Sequence, residues 1–382
     1  MPGSRIVRAL LLIVVALVGL GIVMLASTSS ARGAATYSDP QYFLKRQLVW
    51  LFIAVCAGFV LARFDYHLWR ERPVLLGLAI GAVLCMLLLV LIPGFRVKVG
   101  GSCRWLRLGP LSVQPSEFAK IAVVLGLAAW AAHVGKRIND FRRGLLPALL
   151  GLGAAALLVM LEPDFGTTVL LASVGGVVLF AGGARVPHLL AAGAAGLLIV
   201  VLAVAANPNR MERVRAFWTP EKHERAAHHL AQSKVAFMQG GMLGVGLGKS
   251  IQKQHYLPEA HTDFILAIIG EELGFLATFF VISLFAALLV CGMRIAMQAP
   301  DTFGRLLAFG ITMMVAFQAT INVGVVTGCL PTKGLPLPFI SYGGSSLVAS
   351  VAAVAILMNV AMHCTSRPDR HTQPIKDRLR QV

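Results

Sequence analysis

Long uncharged apolar blocks alternate with polar gaps along almost the whole chain, and that alternation predicts its architecture. Residues 9–30 and 74–93 contain no charged side chain, and each is long enough as a helix to cross a bilayer core, which takes roughly 20 residues. Ten such blocks predict helices over about 6–26, 46–62, 73–92, 115–134, 145–162, 166–183, 187–206, 264–292, 303–327 and 344–363. The gaps are short except at 93–114, rich in Gly, Arg and Trp, and at 207–261, too long for a mere connector. Loops of that size usually carry function. Within the second, residues 224–239 put Ala227, Leu230, Lys234 and Phe237 at helical spacing, the pattern of a short helix lying at the membrane surface. The predicted fold class is all-α, a polytopic integral membrane protein. Residues 1–363 form one transmembrane domain with an outer loop at 207–261, and 364–382 form a basic cytoplasmic tail. No internal repeat is evident, which argues against a transporter built on inverted halves.

Composition removes the other classes. Of 382 residues, 57% are hydrophobic and 13% charged, against about a quarter charged in soluble domains. The mean hydropathy of +0.77 excludes a soluble or disordered chain. A net charge of +17 would suit nucleic acid, but nearly all of the Lys and Arg sit in the gaps between apolar blocks. That is where charges orient a membrane protein and meet anionic lipid, so no nucleic-acid partner is expected. The first block lacks a small-residue cleavage site and is followed by further spans, so it reads as a retained helix.

With the N-terminus inside, the inner gaps and the tail hold seventeen Lys and Arg, the short outer gaps eight, and the long loop 207–261 eight more. Long loops count little in this rule, so both termini are expected in the cytoplasm. The six cysteines have no metal-like spacing. Cys103 and Cys329 fall in gaps on the same expected side, where pairing is a possibility that spacing alone does not decide.

Charged groups inside membrane helices are costly and tend to be functional. Glu117 and Lys120, three apart in the fourth block, share a helix face; a structural ion pair and a substrate contact are the two readings. Glu162 and Asp164 bracket Pro163 between two blocks, fitting a helix N-cap better than a cation site. The densest constellation holds Glu259, His261 and Asp263, just before the eighth block. Counting about 20 residues back from that block's inner end leaves Asp263 ten residues further out, roughly 15 Å if the helix is straight. That is headgroup depth. An aspartate there is expected to be ionised at neutral pH, its reference pKa being about 3.9, and can accept a proton from a sugar hydroxyl; a plain helix cap is the competing role. The alternation of Glu259, His261 and Asp263 lacks the tight spacing of a zinc site.

Gly244, Gly246, Gly248, Lys249 and Ser250 resemble a phosphate loop, but position 243 is Leu where the pattern wants Gly. The use left is a generic diphosphate cradle of backbone N–H groups beside Lys249 and Lys253, with Arg210, Arg213 and Arg215 as further cations. In the last outer gap, 327–346, three prolines and four glycines forbid a continuous helix. Irregular backbone at membrane depth lines cavities or lies in protein, so a re-entrant wall around Lys333 and the Ser341-containing run is expected.

These segments, RWLRLGP (104–110), QPSEFAK (114–120), EPDFGTT (162–168), GVGLGKS (244–250), YLPEAHTDF (256–264), GEELG (270–274) and LPFISYGGSS (337–346), occur together in the order found in the SEDS family (shape, elongation, division and sporulation). The chain resembles that family over nearly its whole length, and its division branch most. Ser102 and Cys103 before Arg104 depart from the family's usual approach. The resemblance implies a peptidoglycan glycosyltransferase that polymerises lipid II. It also implies a catalytic acid/base at Asp263, a cavity role for Arg104, Trp105, Glu117 and Lys120, and a class B penicillin-binding protein as partner among other division proteins. On this reading Arg104, Lys120, Arg213, Lys249 and Lys253 hold the departing diphosphate, with Lys333 and Ser341 also lining the site. No cofactor is demanded, though a divalent cation (Mg or Mn) could share the neutralisation. The rival readings are a lipid II flippase, an elongation-type polymerase and a non-catalytic scaffold. The polar groups gather on one side rather than at the midplane, which favours an enzyme over a transporter.

Overall fold

The computed structural model describes residues 2–99, 102–109, 111–222, 224–255 and 260–364. Glu259 and the basic tail beyond residue 364 lie outside these, as does the side chain of Cys103. The chain opens with α1 (Pro2–Tyr37), α2 (Tyr42–Arg63), the one-turn α3 (Leu68–Glu71) and α4 (Pro73–Leu91). A small antiparallel sheet follows, β1 (Arg96–Val99), β2 (Ser102–Leu108) and β3 (Leu111–Val113). Then come α5 (Pro115–Val134), α6 (Leu146–Leu161), α7 (Phe165–Ala181) and α8 (Val186–Ala205). The long loop holds α9 (Pro208–Trp218), α10 (Glu224–Gly240) and α11 (Gln252–His255), and the chain closes with α12 (Ile265–Gln298), α13 (Thr302–Val326) and α14 (Gly344–Cys364). Among the described residues nine helices are long and apolar enough to cross a membrane, and α7 is a shorter apolar helix beside them. Together they occupy the ten expected blocks.

Packing sorts these helices. α14 is buried along most of its length and α13 over more than half of it, so they form the centre. α8 buries no residue and α4 buries only Leu87 and Val90; helices this apolar with so little protein around them face lipid. α14 lies close against α2 because small residues let the backbones approach: Gly344 sits under the Trp50 ring and Gly58 against Val351.

Three features differ from the sequence reading. The segment 93–114 forms strands, with Val97 opposite Trp105 and Leu106 opposite Val113; alternation along RVKV and RWLRL carries that signal. α10 does not lie free on the membrane surface. It packs on α12 and α13, with Ala227, Leu230, Ser233 and Ala236 buried and the Ser233 hydroxyl donating to the Val326 carbonyl at 2.6 Å. Lys234 is exposed, its stem lying against Gly328 just past α13.

The third difference is in α12, which is not straight. Gly274 has φ 77° and ψ −174° inside it, a conformation open to glycine and strained for other residues. The break frees carbonyls that a continuous helix would use, and the glycine-rich loop takes them. The Val245 N–H donates to Glu271 O at 2.9 Å and the Gly246 N–H to Glu272 O at 3.0 Å, while the Phe275 N–H donates to Gly241 O at 2.9 Å. Gly244 (φ 83°) lies so close to the Glu272 carbonyl that a Cβ would collide with it. The segment expected to cradle a diphosphate is thus a splice that holds a broken helix together.

Two polar clusters occupy opposite ends of the bundle. One gathers the sheet, the 162–164 turn, the start of α12 and the 327–343 loop. The other gathers the α2–α3 and α12–α13 turns with the end of α14, through contacts such as Tyr66 N–H to Asn359 Oδ1 at 3.0 Å and Asn359 Nδ2 to Ala62 O at 2.8 Å. The alternation of sides expected from the charge count needs this grouping.

Candidate active site

β2 delivers Arg104 into the first cluster. Its Nη1 lies 3.4 Å from Asp164 Oδ2. Asp164 caps α7, accepting from the Thr167 N–H at 3.1 Å through Oδ1, as expected of the carboxylate that precedes this helix. Its Oδ2 also accepts from Gln114 Nε2 at 3.1 Å and Ser116 Oγ at 3.4 Å. The Gln114 N–H in turn donates to Ser345 Oγ at 3.0 Å, which ties the end of the sheet to the start of α14. Arg104 is therefore oriented by a carboxylate that is itself fully engaged, and its Nε is buried without a partner.

Glu162 behaves differently from its neighbour. It is 1% exposed and neither carboxylate oxygen finds a hydrogen-bond donor. Burial, then the nearby Asp164 charge, push its pKa up to about 8, with Arg104 opposing them. The group is a neutral acid at pH 7, not a cap. Because the folded form keeps a proton that the unfolded chain releases near 4.5, the associated stability is full below about pH 4.5 and falls as pH rises towards about 8. Glu162→Gln should remove that slope, so the variant gains thermal stability relative to the parent between about pH 6 and 9 and shows no gain near pH 4. Melting curves of the two proteins that stay parallel across this range would contradict the assignment.

Asp263 stands two residues ahead of α12, half-buried. Its backbone is held from three directions. Asn322 Nδ2 donates to Asp263 O at 2.8 Å, Ser341 Oγ donates to Thr262 O at 2.6 Å, and the Tyr342 N–H donates to His261 O at 2.9 Å. The His261 ring packs against Phe43 and Tyr342. The carboxylate points towards the 327–343 loop, where a Cβ added to Gly334 would sit 3.1 Å from Asp263 Oδ2 and 3.6 Å from Arg104 Nη2. Both charged groups thus converge on the bare face of Gly334, which leaves room there that any side chain would fill.

The loop bearing Gly334 is pinned from beneath by α13. Asn322 Nδ2 reaches Leu335 O at 2.8 Å, and Gln318 Nε2 reaches Pro336 O at 2.9 Å. Gln318 Oε1 accepts from Lys120 Nζ at 2.7 Å, and Lys120 pairs with Glu117 at 2.8 Å, both residues being nearly inaccessible. The geometry at Glu117 and Lys120 is that of the ion pair, one of the two expected readings, buried and linked through Gln318 to the loop. Ser341 is likewise buried, its hydroxyl accepting from the Leu337 N–H at 2.8 Å. Gln318 and Asn322 were not anticipated. Two uncharged polar side chains one turn apart in an apolar block were the available signal.

The expected cations divide. Lys333 lies beside Gly334, half-buried, and burial lowers its pKa. Arg213 on α9 is exposed and lines a cleft with Phe217, Leu230 and Thr332. Lys249 is exposed. Lys253 is paired internally: its ammonium is held by Glu272 at 2.7 Å and Ser27 at 2.9 Å, packing α11 against α1 and the α12 break. Glu271 is occupied similarly, accepting from the Ser250 hydroxyl and from the Ile251 N–H at 2.9 Å. Trp105 is half-buried in β2. Cys329 is an exposed free thiol.

The family model of the FtsW, RodA and SpoVE proteins, described as cell cycle proteins, matches residues 8–366. A protein of Trichlorobacter lovleyi named probable peptidoglycan glycosyltransferase FtsW is 46% identical over 353 residues, 92% of each chain. Stage V sporulation protein E of Bacillus subtilis is 41% identical over 357 residues, covering 93% of this chain and 96% of its own. A chain from the structure of a peptidoglycan synthase complex that coordinates polymerization and crosslinking matches with TM-score 0.74 and 30% identity, over 94% of this chain and 98% of that one. The rod shape determining protein RodA of Thermus thermophilus matches with TM-score 0.67 and 28% identity, over 94% and 97%. Agreement in sequence and in fold from one end to the other makes this chain a member of the FtsW/RodA/SpoVE family.

Proposed function

We propose that the chain polymerises lipid II into glycan strands at the outer face of the cytoplasmic membrane during cell division, with Asp263 as the catalytic base. It is a peptidoglycan glycosyltransferase in a multi-pass membrane domain, and relatives carrying that name align with almost all of it. The observation that carries the mechanism is the convergence of Asp263 Oδ2 and Arg104 Nη2 on Gly334.

In the proposed step, the acceptor's GlcNAc 4-hydroxyl loses its proton to Asp263 as its oxygen attacks C1 of the donor's MurNAc. The C1–oxygen bond to the diphosphate breaks, and its electron pair leaves on the undecaprenyl diphosphate. Base assistance accounts for ~10²–10⁴-fold, so positioning and charge stabilisation of the leaving group must supply much of the remainder. Arg104, Lys333, Arg213 and Lys249 are the cations left for that work once Lys120 and Lys253 are paired internally. A bound Mg²⁺ or Mn²⁺ would have to be held by Glu162, since Asp164 beside it is already saturated by Arg104, Gln114, Ser116 and Thr167; the proposed step leaves the neutralising to the side-chain cations.

The termini are proposed to be cytoplasmic, which puts the Asp263 end outside. A class B penicillin-binding protein is the proposed partner, in keeping with the synthase complex whose chain this one resembles. A flippase reading would use the broken α12, since unwound carbonyls in transporters bind ions. Here those carbonyls are taken by Val245 and Gly246, which removes that support. Purified protein with its partner, given labelled lipid II in detergent, should produce a ladder of glycan strands; flipping in liposomes with no ladder would overturn the enzyme reading.

A further inference from the structure

We propose that Asp65, His67 and His363, at the end of the bundle opposite Asp263, form a binding site for a divalent transition-metal ion. The ligand atoms of these three residues lie within 4.8 Å of one another. Asp65 and His67 come from the turn between α2 and α3, and His363 from the last turn of α14. Asp65 Oδ1 stands 2.7 Å from His67 Nδ1 and 3.6 Å from His363 Nε2. A tetrahedral ion with bonds of about 2.0–2.1 Å holds its ligand atoms roughly 3.3 Å apart, so the first distance must open slightly and the second must close slightly.

The partners of the other ring nitrogens fix which atoms face the centre. His363 Nδ1 lies 2.9 Å from the Asn359 carbonyl, which only accepts, so Nδ1 carries the hydrogen. In the neutral ring, Nε2 then presents its lone pair towards Asp65. In the ion-free site His67 Nδ1 donates its hydrogen to Asp65 Oδ1 at 2.7 Å; binding an ion would move that hydrogen to Nε2, which faces Asp301 Oδ1 at 3.7 Å. Histidine ligands of metals show this arrangement, the distal N–H given to a carboxylate or backbone carbonyl. Asp301 itself is held in place by the Tyr66 hydroxyl and by Arg70 Nη1 at 3.8 Å. At His363, without an ion or an added proton, the Nε2 lone pair and Asp65 Oδ1 face each other across 3.6 Å.

Two imidazoles and one carboxylate suit Zn²⁺ and its first-row neighbours rather than Mg²⁺ or Ca²⁺, which favour all-oxygen sites. The three side chains are 48%, 29% and 33% exposed, so an ion can enter and water can fill its remaining position. The consequence is mechanical. The ion would clamp the α2–α3 turn to the end of the central helix α14, with the α12–α13 turn in its outer shell.

The test uses the full-length protein in detergent, purified through a histidine-free tag and stripped with a chelator. Zn²⁺ binding is read by competition with a chromophoric chelator, and Co²⁺ substitution by visible ligand-field absorption. One tightly held equivalent is expected in the parent. His67→Gln and His363→Gln should each abolish the Co²⁺ signal and weaken Zn²⁺ by more than the ~10–100-fold that losing an outer-shell partner costs. Asp301→Asn should fall within that range, and His133→Gln should change nothing. The proposal fails if the parent holds no stoichiometric metal, the cluster then being a proton-bridged histidine–carboxylate network, or if the bound equivalent survives either ligand substitution in folded protein.

Discussion

Asp263→Ala should fold, insert and still lose almost all lipid II polymerisation. The reason lies in how the residue is held. The contacts that anchor this stretch, from Asn322, Ser341 and Tyr342, end on backbone carbonyls of residues 261–263, and none needs the carboxylate. Truncation therefore removes the proton acceptor while leaving those anchors in place. Loss of a general base costs ~10²–10⁴-fold, and Asp263→Asn should lose as much, because an amide cannot take the hydroxyl proton. The measurement is strand formation by purified variants with the partner, alongside melting curves that stay within a few degrees of the parent. Strand formation at the parental rate by a well-folded Asp263→Ala protein would remove this residue from the chemistry.

The second large effect is on stability. Lys120→Met leaves the Glu117 carboxylate buried with no counter-charge, and breaking a buried pair by removing one partner costs about 3–5 kcal/mol. The same substitution strips Gln318 of its donor and loosens its grip on Pro336, so the 327–343 loop should become sensitive to protease. Adding Glu117→Gln to Lys120→Met should restore most of the lost stability, since neither buried charge then remains. The readouts are thermal melting in detergent and limited proteolysis of the single and double variants. A Lys120→Met protein that melts with the parent, or a double variant no better than the single, would show that the pair does not bear on loop position.

Much of the site was legible as sequence. The uncharged blocks located the helices, and the halt of the eighth block near residue 264 put Asp263 just outside a helix start. The EPD turn gave Asp164 as a cap. What misled was charge without its partner. Lys253 read as a free cation because Glu272 lies 19 residues away, and the link from Lys120 to the loop was hidden because Gln318 lies 198 residues from it. Gly274 passed as one glycine within a helical run, a signal worth only about 1 kcal/mol against Ala. Its meaning depends on carbonyls claimed by a loop nearly thirty residues earlier. The strands of 93–114 passed as a gap between helices, although their alternation was present.

Sequence by itself determined the bilayer as solvent, the number of helical blocks, the family and the gathering of the acidic and cationic motifs at one end of the helices. Each of these follows from local hydrophobicity or contiguous motif, because burying uncharged residues in lipid is decided block by block. Tertiary structure alone decided which charges are spent and which remain. It turned the glycine loop into a splice, Lys120 and Lys253 into internal partners, and Glu162 into a neutral acid. It also brought Asp263 and Arg104 together at Gly334, and Asp65 and His67 to His363. An ionisable group's role depends on what stands within a few Å of it, and in this bundle those neighbours come from helices far apart in the chain.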